Sequence, residues 1–575
     1  MLTQTETPSP ARMEERPWHR FYDEGVAPSI DYERLALPAF LERDARKRPD
    51  ANALFFLNAR LTYGELQGEV TRFATALTRM GVGPDSSVAI QLPNLPQTVI
   101  AYYGALAAGA RVVLTNPLYT GREIEHQWND AECSVAVTTD FLYDQTVRPV
   151  RSKLSIEHFI LASIPEYLRF PLNLLAPFKL RKSQPPKIAD VPNEEGVHAF
   201  RKLLRETTPA PIEPIEDLDR IAVLQYTGGT TGVSKGAMLT HKNLSINAQQ
   251  CDAWFPREDS GCQVIMTAVP LFHVFGMTTC MNWAVFCGGT MVLVPDPRDV
   301  KAIAKAIAKH RVTIFPGVPA MYNALNQLPG IEGMDISSVQ GCLSGSAPIA
   351  PDVQQRFEGL TGANIVEGFG MSETSPVTHA NPFHGRRKLG SIGIPLPDTD
   401  AHIVAVDDPT TVLPPGEEGE LCLRGPQVMR GYWKRPDETA KTLIDGWLLT
   451  GDLGTMDEEG YFRIVGRKKD MINISGFKVF PDEVDAILVA HEAVLEAATI
   501  GVPHDERGEI VKSFVVLQPG AACSVDELRA YCREHLAAYK VPREIGFIEE
   551  LPKSTVLKVL RRELREMELA KPRES

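Results

Sequence analysis

The chain has 575 residues, 43% of them hydrophobic and 23% charged, a composition typical of globular proteins that excludes a disordered, collagen-like or coiled-coil chain. Its length suggests about three or four domains, or one large body with appendages. With 60 lysines and arginines against 73 aspartates and glutamates, the formal charge of −13 argues against binding nucleic acid through the overall field.

The cysteines and the N-terminal residues indicate the compartment. None of the nine cysteines forms a C-x-x-C pair, and their number is odd. We therefore expect reduced, mostly buried thiols rather than a zinc site or disulfides. Residues 1–18 are polar and proline-rich and lack the apolar run of a secretory signal. These features predict a cytoplasmic protein.

Helical and strand patterns alternate over the first 450 residues. The first helical pattern covers 66–80, and Gly81 follows it as a stop. Further predicted elements are a strand over 87–92, a helix over 96–108, a strand over 111–115, a helix over 300–310 and a strand over 312–315. Such alternation predicts a large α/β domain with mostly parallel sheets.

Residues 274–294 carry no charge and are long enough to cross a bilayer. Glycine, asparagine and threonine residues interrupt this run, and its end at 290–295 is rich in β-forming residues. We therefore interpret the run as buried core that ends in a parallel strand, and not as a membrane span.

The C-terminal residues follow a different pattern. Ser524 and Glu527 form a capping box before an amphipathic helix, and 498–502 and 513–517 have the pattern of short strands. These features predict a compact α+β domain of about 100 residues, with 466–470 as its linker. The predicted domains are a large N-terminal domain, 1–466, and a small C-terminal domain, 467–575.

The densest motif is 226–236 (YTGGTTGVSKG), which follows an apolar, strand-like run. Closely spaced glycines let consecutive backbone N–H groups face one anion, threonine hydroxyls add donors, and a lysine supplies a charge for a polyphosphate. The predicted phosphate-binding residues are Thr227, Gly228, Gly229, Thr230, Thr231, Gly232 and Lys235. The motif is not a standard P-loop, because Ser234 stands where that motif has a glycine before its lysine.

Two weaker motifs follow. Residues 367–374 (EGFGMSET) begin like a dinucleotide fingerprint, but Glu373 replaces the third glycine, so a Rossmann interpretation fails. In this loop Phe369 can stack on a base, Ser372 can donate to an oxyanion, and Glu373 can hold Mg²⁺. Farther on, Asp452 in a Thr-Gly-Asp sequence offers a carboxylate for ribose hydroxyls, and Arg467 can support it.

Together these motifs resemble those of the adenylate-forming acyl-CoA synthetases, and the resemblance extends over 18–564. The matching segments, in the family's order, are 226–236, 270–273 (PLFH), 344–348 (SGSAP), 367–374, 416–432 (GEEGELCLRGPQVMRGY), 450–452, 466–476 (GRKKDMINISG) and 551–558 (LPKSTVLK). Each motif is moderately specific, and eight in one order are very specific. Among these enzymes the sequence looks closest to the long-chain fatty acid–CoA ligases.

The resemblance implies a role for each site residue. Lys558 would be the catalytic cation between the carboxylate and the α-phosphate of ATP, Ser372 would contact the α-phosphate or acyl oxygen, and His273 would lie near the acyl carbonyl. Glu373 and Thr227 would hold Mg²⁺, and Asp452 and Arg467 would hold the ribose. The residues implied on the adenine side are Gly345, Ser346, Ala347, Gly368, Phe369 and Gly370.

The resemblance also implies a mobile C-terminal domain. In the family, this domain swings about a hinge between the two half-reactions, and Lys469 matches the hinge position. The swing would withdraw Lys558 and bring in Gly476, which would allow the pantetheine arm of coenzyme A to pass. One departure is Leu557, where the family usually has glycine; leucine disfavours positive φ, and Lys553 is the alternative catalytic lysine.

The substrate is expected to be a fatty acid. Residues 116–120 (NPLYT) and 164–186 look like those of long-chain enzymes rather than aryl-acid ligases. The second segment mixes apolar and basic side chains, which suits either peripheral contact with the inner face of an anionic membrane or packing on the large domain. The implied cofactors and partners are ATP, Mg²⁺, coenzyme A and the fatty acid, with no nucleic acid, and a homodimer is an open option.

Three alternative functions stay open at this stage. A medium-chain or aryl-acid CoA ligase would share the same motifs, as would an enzyme that passes the adenylate to a carrier-protein thiol. Leu557 raises the third option, a non-catalytic nucleotide- or lipid-binding homologue. A P-loop motor or kinase is rejected because of Ser234.

Overall fold

The computed structural model describes residues 16–227, 234–255, 263–474, 477–504, 508–554 and 559–570. The chain forms two compact units. The larger unit contains Phe21–Thr399 and Gly425–Leu443, and the smaller unit contains the described parts of Met1–Arg20, Asp400–Arg424 and Ile444–Ser575.

The larger unit is built on two sheets. Its strands are β1 (Asn52–Phe56), β2 (Ala59–Thr62), β3 (Ser87–Gln91), β4 (Arg111–Leu114), β5 (Cys133–Thr139), β6 (His158–Ala162), β7 (Val197–Ala199), β8 (Ile221–Thr227), β9 (Lys235–Thr240), β10 (Val264–Thr267), β11 (Thr290–Leu293), β12 (Ile314–Gly317), β13 (Gly341–Ser344), β14 (Asn364–Gly370), β15 (Val377–Ala380) and β16 (Ile394–Pro395). One sheet has the order β7-β6-β5-β3-β4-β8-β9, and the other has the order β16-β15-β14-β13-β12-β10-β11-β1-β2. Neighbouring strands inside both sheets are parallel, and antiparallel pairs occur towards the edges.

Helices cover these sheets. They are α1 (Leu37–Lys47), α2 (Tyr63–Arg79), α3 (Pro96–Ala107), α4 (Gly121–Asp130), α5 (Asp140–Leu142), α6 (Leu172–Arg181), α7 (Phe200–Glu206), α8 (His241–Trp254), α9 (Val274–Gly276), α10 (Trp283–Cys287), α11 (Val300–His310), α12 (Pro319–Asn326), α13 (Pro351–Thr361) and α14 (Pro436–Thr442). Short 3₁₀ and π turns add Ile164–Tyr167, Met277–Asn282 and Ser372–Thr374. The alternation predicted from the sequence is confirmed in α2, β3, α3, β4, α11 and β12, although the last strand starts two residues late.

The uncharged run at 274–294 lies in the core. It forms α9, a π-helical turn, α10 and β11, whose residues are almost all buried. Strand β11 pairs in parallel with both β1 and β10. The prediction of a buried segment that ends in a parallel strand is therefore confirmed, and none of the helices that the structure describes is long and apolar enough to span a membrane.

The smaller unit has mostly antiparallel strands. They are β17 (Asp400–Ala405), β18 (Asp408–Val412), β19 (Gly419–Arg424), β20 (Leu443–Ile444), β21 (Trp447–Met456), β22 (Phe462–Arg467), β23 (Ile472–Ile474), β24 (Phe477–Val479), β25 (Val494–His504), β26 (Gly508–Leu517) and β27 (Glu544–Phe547). The first sheet has the order β18-β17-β19-β21-β20, with β22 also on β21, and the second has the order β24-β23-β26-β25, with β27 also on β26. Its helices are α15 (Pro481–Val489), α16 (Val525–His535) and α17 (Arg561–Leu569).

Local sequence patterns account for much of this unit. The Ser524 hydroxyl accepts a hydrogen bond from the Glu527 N–H at 3.2 Å, and the Glu527 carboxylate accepts one from the Ser524 N–H at 2.7 Å, so the predicted capping box starts α16. Leu528 and Cys532 of that helix are buried against β26 and α15. The predicted linker is shorter than expected, because Gly466 and Arg467 belong to β22 and pair with β21.

The expected fold is confirmed: a large α/β domain with mostly parallel sheets is followed by a smaller domain with antiparallel strands. Eight cysteines lie in the described part of the chain, all as free thiols, and six of them are buried. The division at 466/467 and the mobility of the C-terminal domain stay predictions.

Candidate active site

Two segments of the larger unit lie side by side at the carboxyl ends of neighbouring strands in the nine-stranded sheet. Strands β13 and β14 are parallel neighbours, with Ser344 opposite Glu367. The residues that follow each strand therefore emerge side by side. These residues are Gly345, Ser346 and Ala347 after β13, and Gly368, Phe369 and Gly370 at the end of β14, which is the adenine-side set predicted from the sequence.

Close packing explains why glycines occur at the end of β14. A Cβ atom at Gly370 would lie 2.2 Å from the Pro376 carbonyl oxygen, which cannot move aside. At Gly368, a Cβ atom would lie 2.7 Å from a methyl group of Leu343. The Phe369 ring contacts His379 on β15 in an edge-to-face arrangement at 6.2 Å. The second predicted motif is thus a tightly packed strand end that presents one aromatic ring.

His273 lies beside these loops. Its Nδ1 accepts the Phe275 N–H at 3.3 Å, so the imidazole caps the short helix α9. The Phe275 ring packs against Gly345, and the Thr278 hydroxyl donates to the Ser375 carbonyl. The side chain of Gln225 on β8 donates to the Phe272 carbonyl at 3.2 Å, which connects this helix to the other sheet.

The base of the predicted phosphate loop is a hairpin. Thr227, the last residue of β8, pairs with Lys235, the first residue of β9, and the Ser234 hydroxyl donates to the Thr227 carbonyl at 2.6 Å. Of the residues between the two strands, Gly228, Gly229, Thr230, Thr231 and Gly232 lie outside the described residues. The hairpin fixes both ends of the loop at the edge of the seven-stranded sheet.

Lys235 is held by a carboxylate. Its Nζ lies 2.5 Å from Glu438 Oε2 on α14, and 5.4 Å from the centre of the Tyr432 ring. The ammonium group lowers the pKa of Glu438 by hydrogen bonding and charge. The Lys235 ammonium group, predicted to bind phosphate, thus pairs with a carboxylate in this structure.

Glu373 is buried and firmly positioned. It lies on the 3₁₀ turn Ser372–Thr374, and its carbonyl accepts the Met429 N–H at 2.7 Å. Its Oε1 accepts a hydrogen bond from the Tyr432 hydroxyl at 2.7 Å. Burial and the neighbouring Glu373 charge both raise the pKa of Tyr432, which stays a hydrogen-bond donor. The predicted metal ligand therefore has a fixed side-chain orientation.

The predicted magnesium site contains one protein carboxylate, that of Glu373. Within the described ranges, no group of three or more histidine, cysteine, aspartate or glutamate side chains could hold a metal. A single carboxylate fits Mg²⁺, which typically keeps several waters and binds one or two protein carboxylates plus substrate phosphates. Glu373 and the Thr227 hydroxyl are the candidates for this role.

The smaller unit contains another pair of predicted site residues. Asp452 on β21 is directly opposite Arg467 on β22, and Arg467 Nε lies 2.8 Å from Asp452 Oδ1. The Asp452 side chain is only 4% exposed, and its Oδ2 has no hydrogen-bond partner among the described residues. A buried carboxylate oxygen without a donor is costly, so it fits a ligand hydroxyl such as one of a ribose.

Of the two candidate lysines near the C-terminus, the structure describes Lys553. Lys558, with Leu557 before it, lies outside the described residues, as does Gly476. Lys553 Nζ lies 2.6 Å from Glu496 Oε1, and residue 553 forms a β-bridge with Val559. Lys553 is thus engaged in an ion pair, and the preference for Lys558 over Lys553 stays a prediction.

Two residues of the site had no role assigned from the sequence. Tyr432 closes the quoted segment 416–432, and its contact with Glu373 joins residues that lie 59 apart in the chain. Glu438 lies 203 residues from Lys235. No local pattern identifies either contact; the single hint is that a tyrosine ends a segment of the family's motif set.

The motifs that carry these residues point to an enzyme that binds a nucleotide. The model of the AMP-binding enzyme family matches residues 41–433, and the model of the AMP-binding enzyme C-terminal domain matches residues 483–558. The chain belongs to the AMP-binding enzyme family.

Individual relatives are similar over nearly the whole chain. A long-chain-fatty-acid–CoA ligase from Bacillus subtilis (strain 168) is 43% identical over 558 residues, covering 96% of this chain and 98% of the relative. A long-chain-fatty-acid–CoA ligase from Salmonella typhimurium is 39% identical over 558 residues, with the same coverage. The solved structure of the anthranilate CoA ligase AuaEII in complex with anthranoyl-AMP matches with a TM-score of 0.82 at 27% identity, covering 94% of this chain and 98% of that one.

Proposed function

We propose that this protein is an ATP-dependent long-chain fatty acid–CoA ligase. It converts a fatty acid to an acyl-adenylate with release of pyrophosphate, and then transfers the acyl group to coenzyme A with release of AMP. The observation that carries this assignment is the similarity to the Bacillus subtilis ligase at 43% identity over 96% of the chain.

The chemistry requires a leaving group that a carboxylate lacks. In the first step a carboxylate oxygen bonds to the α-phosphorus and the bond to pyrophosphate breaks. In the second step the thiol sulfur bonds to the acyl carbon, the thiol loses its proton, and AMP leaves. Attack at phosphorus depends mainly on positioning and charge neutralisation, so the protein supplies preorganised charges rather than a nucleophile.

The larger unit supplies the phosphate and acyl contacts in this proposal. Lys235 leaves Glu438 and pairs with the phosphate groups, while the backbone of 228–232 surrounds them. Ser372 donates to the α-phosphate or the acyl oxygen, and His273 lies beside the acyl carbonyl. Mg²⁺, when bound by Glu373 and Thr227, supplies positive charge to the phosphate oxygens.

The smaller unit supplies the ribose contact and the catalytic lysine. Asp452 accepts hydrogen bonds from the ribose hydroxyls through Oδ2, and Arg467 holds its other oxygen at 2.8 Å. Lys558 places its charge between the carboxylate and the α-phosphate. Between the half-reactions, residues 467–575 turn about Lys469, which withdraws Lys558 and brings Gly476 to the path of coenzyme A.

We place the enzyme in the cytoplasm, in contact with the inner face of the membrane through 164–186, and a homodimer is the oligomeric state to be tested. The supporting feature for membrane contact is the apolar and basic composition of this segment. Analytical ultracentrifugation of the purified chain tests the homodimer, which a single monomeric species would contradict.

The test of the function is coenzyme A-dependent AMP release across a panel of acids. Acetate, octanoate, palmitate, oleate and 4-coumarate are supplied in turn with ATP and Mg²⁺. We expect the highest kcat/KM with palmitate or oleate. A preference for 4-coumarate or octanoate would contradict the long-chain assignment, and absence of pyrophosphate release with every acid would contradict the ligase assignment.

A further inference from the structure

Asp130, the last residue of α4, accepts hydrogen bonds from two segments that lie far from it in the chain. Its Oδ2 accepts the Tyr226 hydroxyl at 2.6 Å, and its Oδ1 accepts Arg435 Nη2 at 3.0 Å. Its carbonyl oxygen accepts Trp433 Nε1 and Lys434 Nζ, both at 3.0 Å. The Asp130 side chain is only 12% exposed. One residue therefore joins the end of β8 to the residues that precede α14.

The first of these segments is the end of β8. Tyr226 directly precedes Thr227, the first of the predicted phosphate-binding residues. Tyr226 is buried and packs so closely on β9 that a Cβ atom at Gly236 would lie 3.0 Å from its ring. Burial raises the pKa of Tyr226, and the hydrogen bond to Asp130 and its charge add to this, so the hydroxyl stays protonated and donates. Asp130 thus fixes the strand end that leads into the predicted phosphate loop.

The second segment, residues 430–438, lies along β9. Met238 on β9 donates its N–H to the Gly431 carbonyl at 2.8 Å, and its carbonyl accepts the Arg430 N–H at 3.0 Å. The Trp433 N–H donates to the carbonyl of another β9 residue, also at 2.8 Å. These backbone bonds fix the first half of the segment, and the contacts with α4 fix the residues that follow.

The 430–438 segment carries two side chains that support the proposed nucleotide site. Tyr432 donates to the predicted metal ligand, and Glu438, in the first turn of α14, pairs with the predicted phosphate-binding lysine. Arg435 is the N-cap residue of α14. Its contact with Asp130 therefore fixes the start of the helix that carries Glu438.

The Asp130 carboxylate differs from an ordinary surface ion pair. Lys434 also pairs with Glu132 at 2.9 Å, but these side chains are 40% and 59% exposed, and exposed pairs contribute little. Removal of the Asp130 carboxylate would instead leave the buried Tyr226 hydroxyl without its acceptor, which is costly. Two acidic residues that lie two positions apart thus provide a test and its matched control.

We infer that Asp130 is a positioning residue for the nucleotide, because it fixes the end of β8 relative to the 430–438 segment. Through Tyr226 it acts on the start of the phosphate loop, and through Arg435 and its neighbours it acts on the side chains that hold the metal ligand and the lysine. It does so without contact to the nucleotide. The inference rests on the proposed function in one respect, because it takes the predicted phosphate and metal ligands as given.

Steady-state kinetics of Asp130→Ala test this role. We expect the KM for ATP to rise about tenfold, and the Mg²⁺ titration of pyrophosphate release to shift right by a similar factor, as when a residue that orients a ligand is lost. The KM values for oleate and coenzyme A should stay at those of the wild type, as should the rate of thioester formation from supplied oleoyl-adenylate. Glu132→Gln is the matched control and should leave all of these quantities unchanged.

Two further variants separate positioning from a general loss of structure. Asp130→Asn keeps one acceptor oxygen, so it should recover part of the ATP affinity that Asp130→Ala loses. In Asp130→Ala/Tyr432→Phe, the shift of the Mg²⁺ titration should be smaller than the product of the two single shifts, because both changes free the same metal ligand. The control Glu132→Gln/Tyr432→Phe should match Tyr432→Phe alone.

Three results would overturn the inference. They are an unchanged KM for ATP in Asp130→Ala, equal losses in both half-reactions and in the KM values of all three substrates, and a double variant whose shift equals the product of the single shifts. If Asp130→Ala does not fold, the first two criteria apply to Asp130→Asn.

Binding of a fluorescent ATP analogue distinguishes this inference from the proposed function. Weaker binding to Asp130→Ala than to the wild type, without pyrophosphate release by the wild type from any acid, would contradict the ligase assignment and support the role of Asp130. Equal binding to both proteins, with normal ligase activity in the wild type, would contradict the role of Asp130 alone.

Discussion

At the scale of single residues, the site depends on supporting side chains as much as on the residues that would touch the substrate. Glu373 is oriented by the Tyr432 hydroxyl, and Lys235 is held by Glu438. Both supports lie in the short stretch 432–438. This stretch therefore contacts both the carboxylate for which we propose metal binding and the lysine for which we propose phosphate binding.

Removal of the Tyr432 hydroxyl should weaken magnesium binding. In Tyr432→Phe, the Glu373 carboxylate loses its 2.7 Å donor and gains rotational freedom. Loss of such an orienting partner typically costs about 10–100-fold in metal affinity or activity. We expect a right shift of about tenfold in the Mg²⁺ titration of pyrophosphate release, and a similar weakening of Mn²⁺ binding measured by electron paramagnetic resonance with a non-hydrolysable ATP analogue.

The matched control for this change is Tyr22→Phe, which removes a hydroxyl that donates to the Pro395 carbonyl at 2.7 Å. It should leave the Mg²⁺ titration unchanged. An unaltered titration in Tyr432→Phe would show that this tyrosine does not orient the metal ligand.

Neutralising Glu438 should strengthen nucleotide binding. In Glu438→Gln, Lys235 no longer has a carboxylate that competes with the incoming phosphates. Because exposed ion pairs are weak, the expected decrease in the Kd for ATP is about two- to fivefold. Isothermal titration calorimetry measures it, with Asp437→Asn as the neighbouring control. Weaker ATP binding in Glu438→Gln would mean that Glu438 assists the lysine rather than competing with the nucleotide.

At the scale of elements, local sequence patterns predict a helix or strand that has its own start signal, stop signal and hydrophobic periodicity. Helix α2 ends before Gly81, which has φ of +84°, and α16 begins at its capping box. The extent of β22 was not predictable in this way. Gly466 and Arg467 follow no local strand pattern. They adopt an extended conformation because they pair with β21. The contacts of Tyr432 and Glu438 could not be predicted for the same reason, because they join distant parts of the chain.

Two buried histidines should make the larger unit sensitive to acid. Burial lowers the pKa of His379 on β15 to about 3 and, together with the nearby Arg220 charge, that of His241 on α8 to about 4. The folded state thus excludes a proton that the unfolded chain takes up below its ordinary histidine pKa. The two histidines cost no stability above about pH 6.5. Below that pH the free energy of unfolding decreases, by about 2 kcal/mol per histidine at pH 5.

Urea unfolding near pH 7 and near pH 5 measures this dependence. His379→Asn should reduce the pH-dependent loss by about 2 kcal/mol, and the exposed His384→Asn should not change it. Equal pH dependence in wild type and His379→Asn would show that His379 takes up a proton in the folded state.

At the scale of the whole molecule, the proposal requires the two half-reactions to depend on different residues. Lys558→Ala should slow adenylate formation by about 10²–10³-fold, because a preorganised charge is lost where charge develops. Thioester formation from supplied oleoyl-adenylate should change little, because in that step Lys558 has been withdrawn. Pyrophosphate release and acyl-CoA formation, measured separately, distinguish the two.

Lys553→Ala is the matched control, because its ammonium pairs with Glu496. It should leave the ratio of the two half-reaction rates unchanged. Equal losses in both half-reactions for Lys558→Ala would contradict the swinging-domain assignment, and a selective loss of adenylation in Lys553→Ala would transfer the catalytic role to that lysine.

The unmatched oxygen of Asp452 has a consequence for how the protein responds to heat. A ribose hydroxyl that donates to this oxygen would satisfy it, which adds to the stabilisation that a bound ligand confers on the folded state. Adenosine should therefore raise the melting temperature of the wild-type chain more than 2′,3′-dideoxyadenosine does, and Asp452→Ala should abolish the difference. The ribose would then donate a hydrogen bond to Asp452, so that ATP bound between turnovers would raise the free energy of unfolding of the enzyme in the cell.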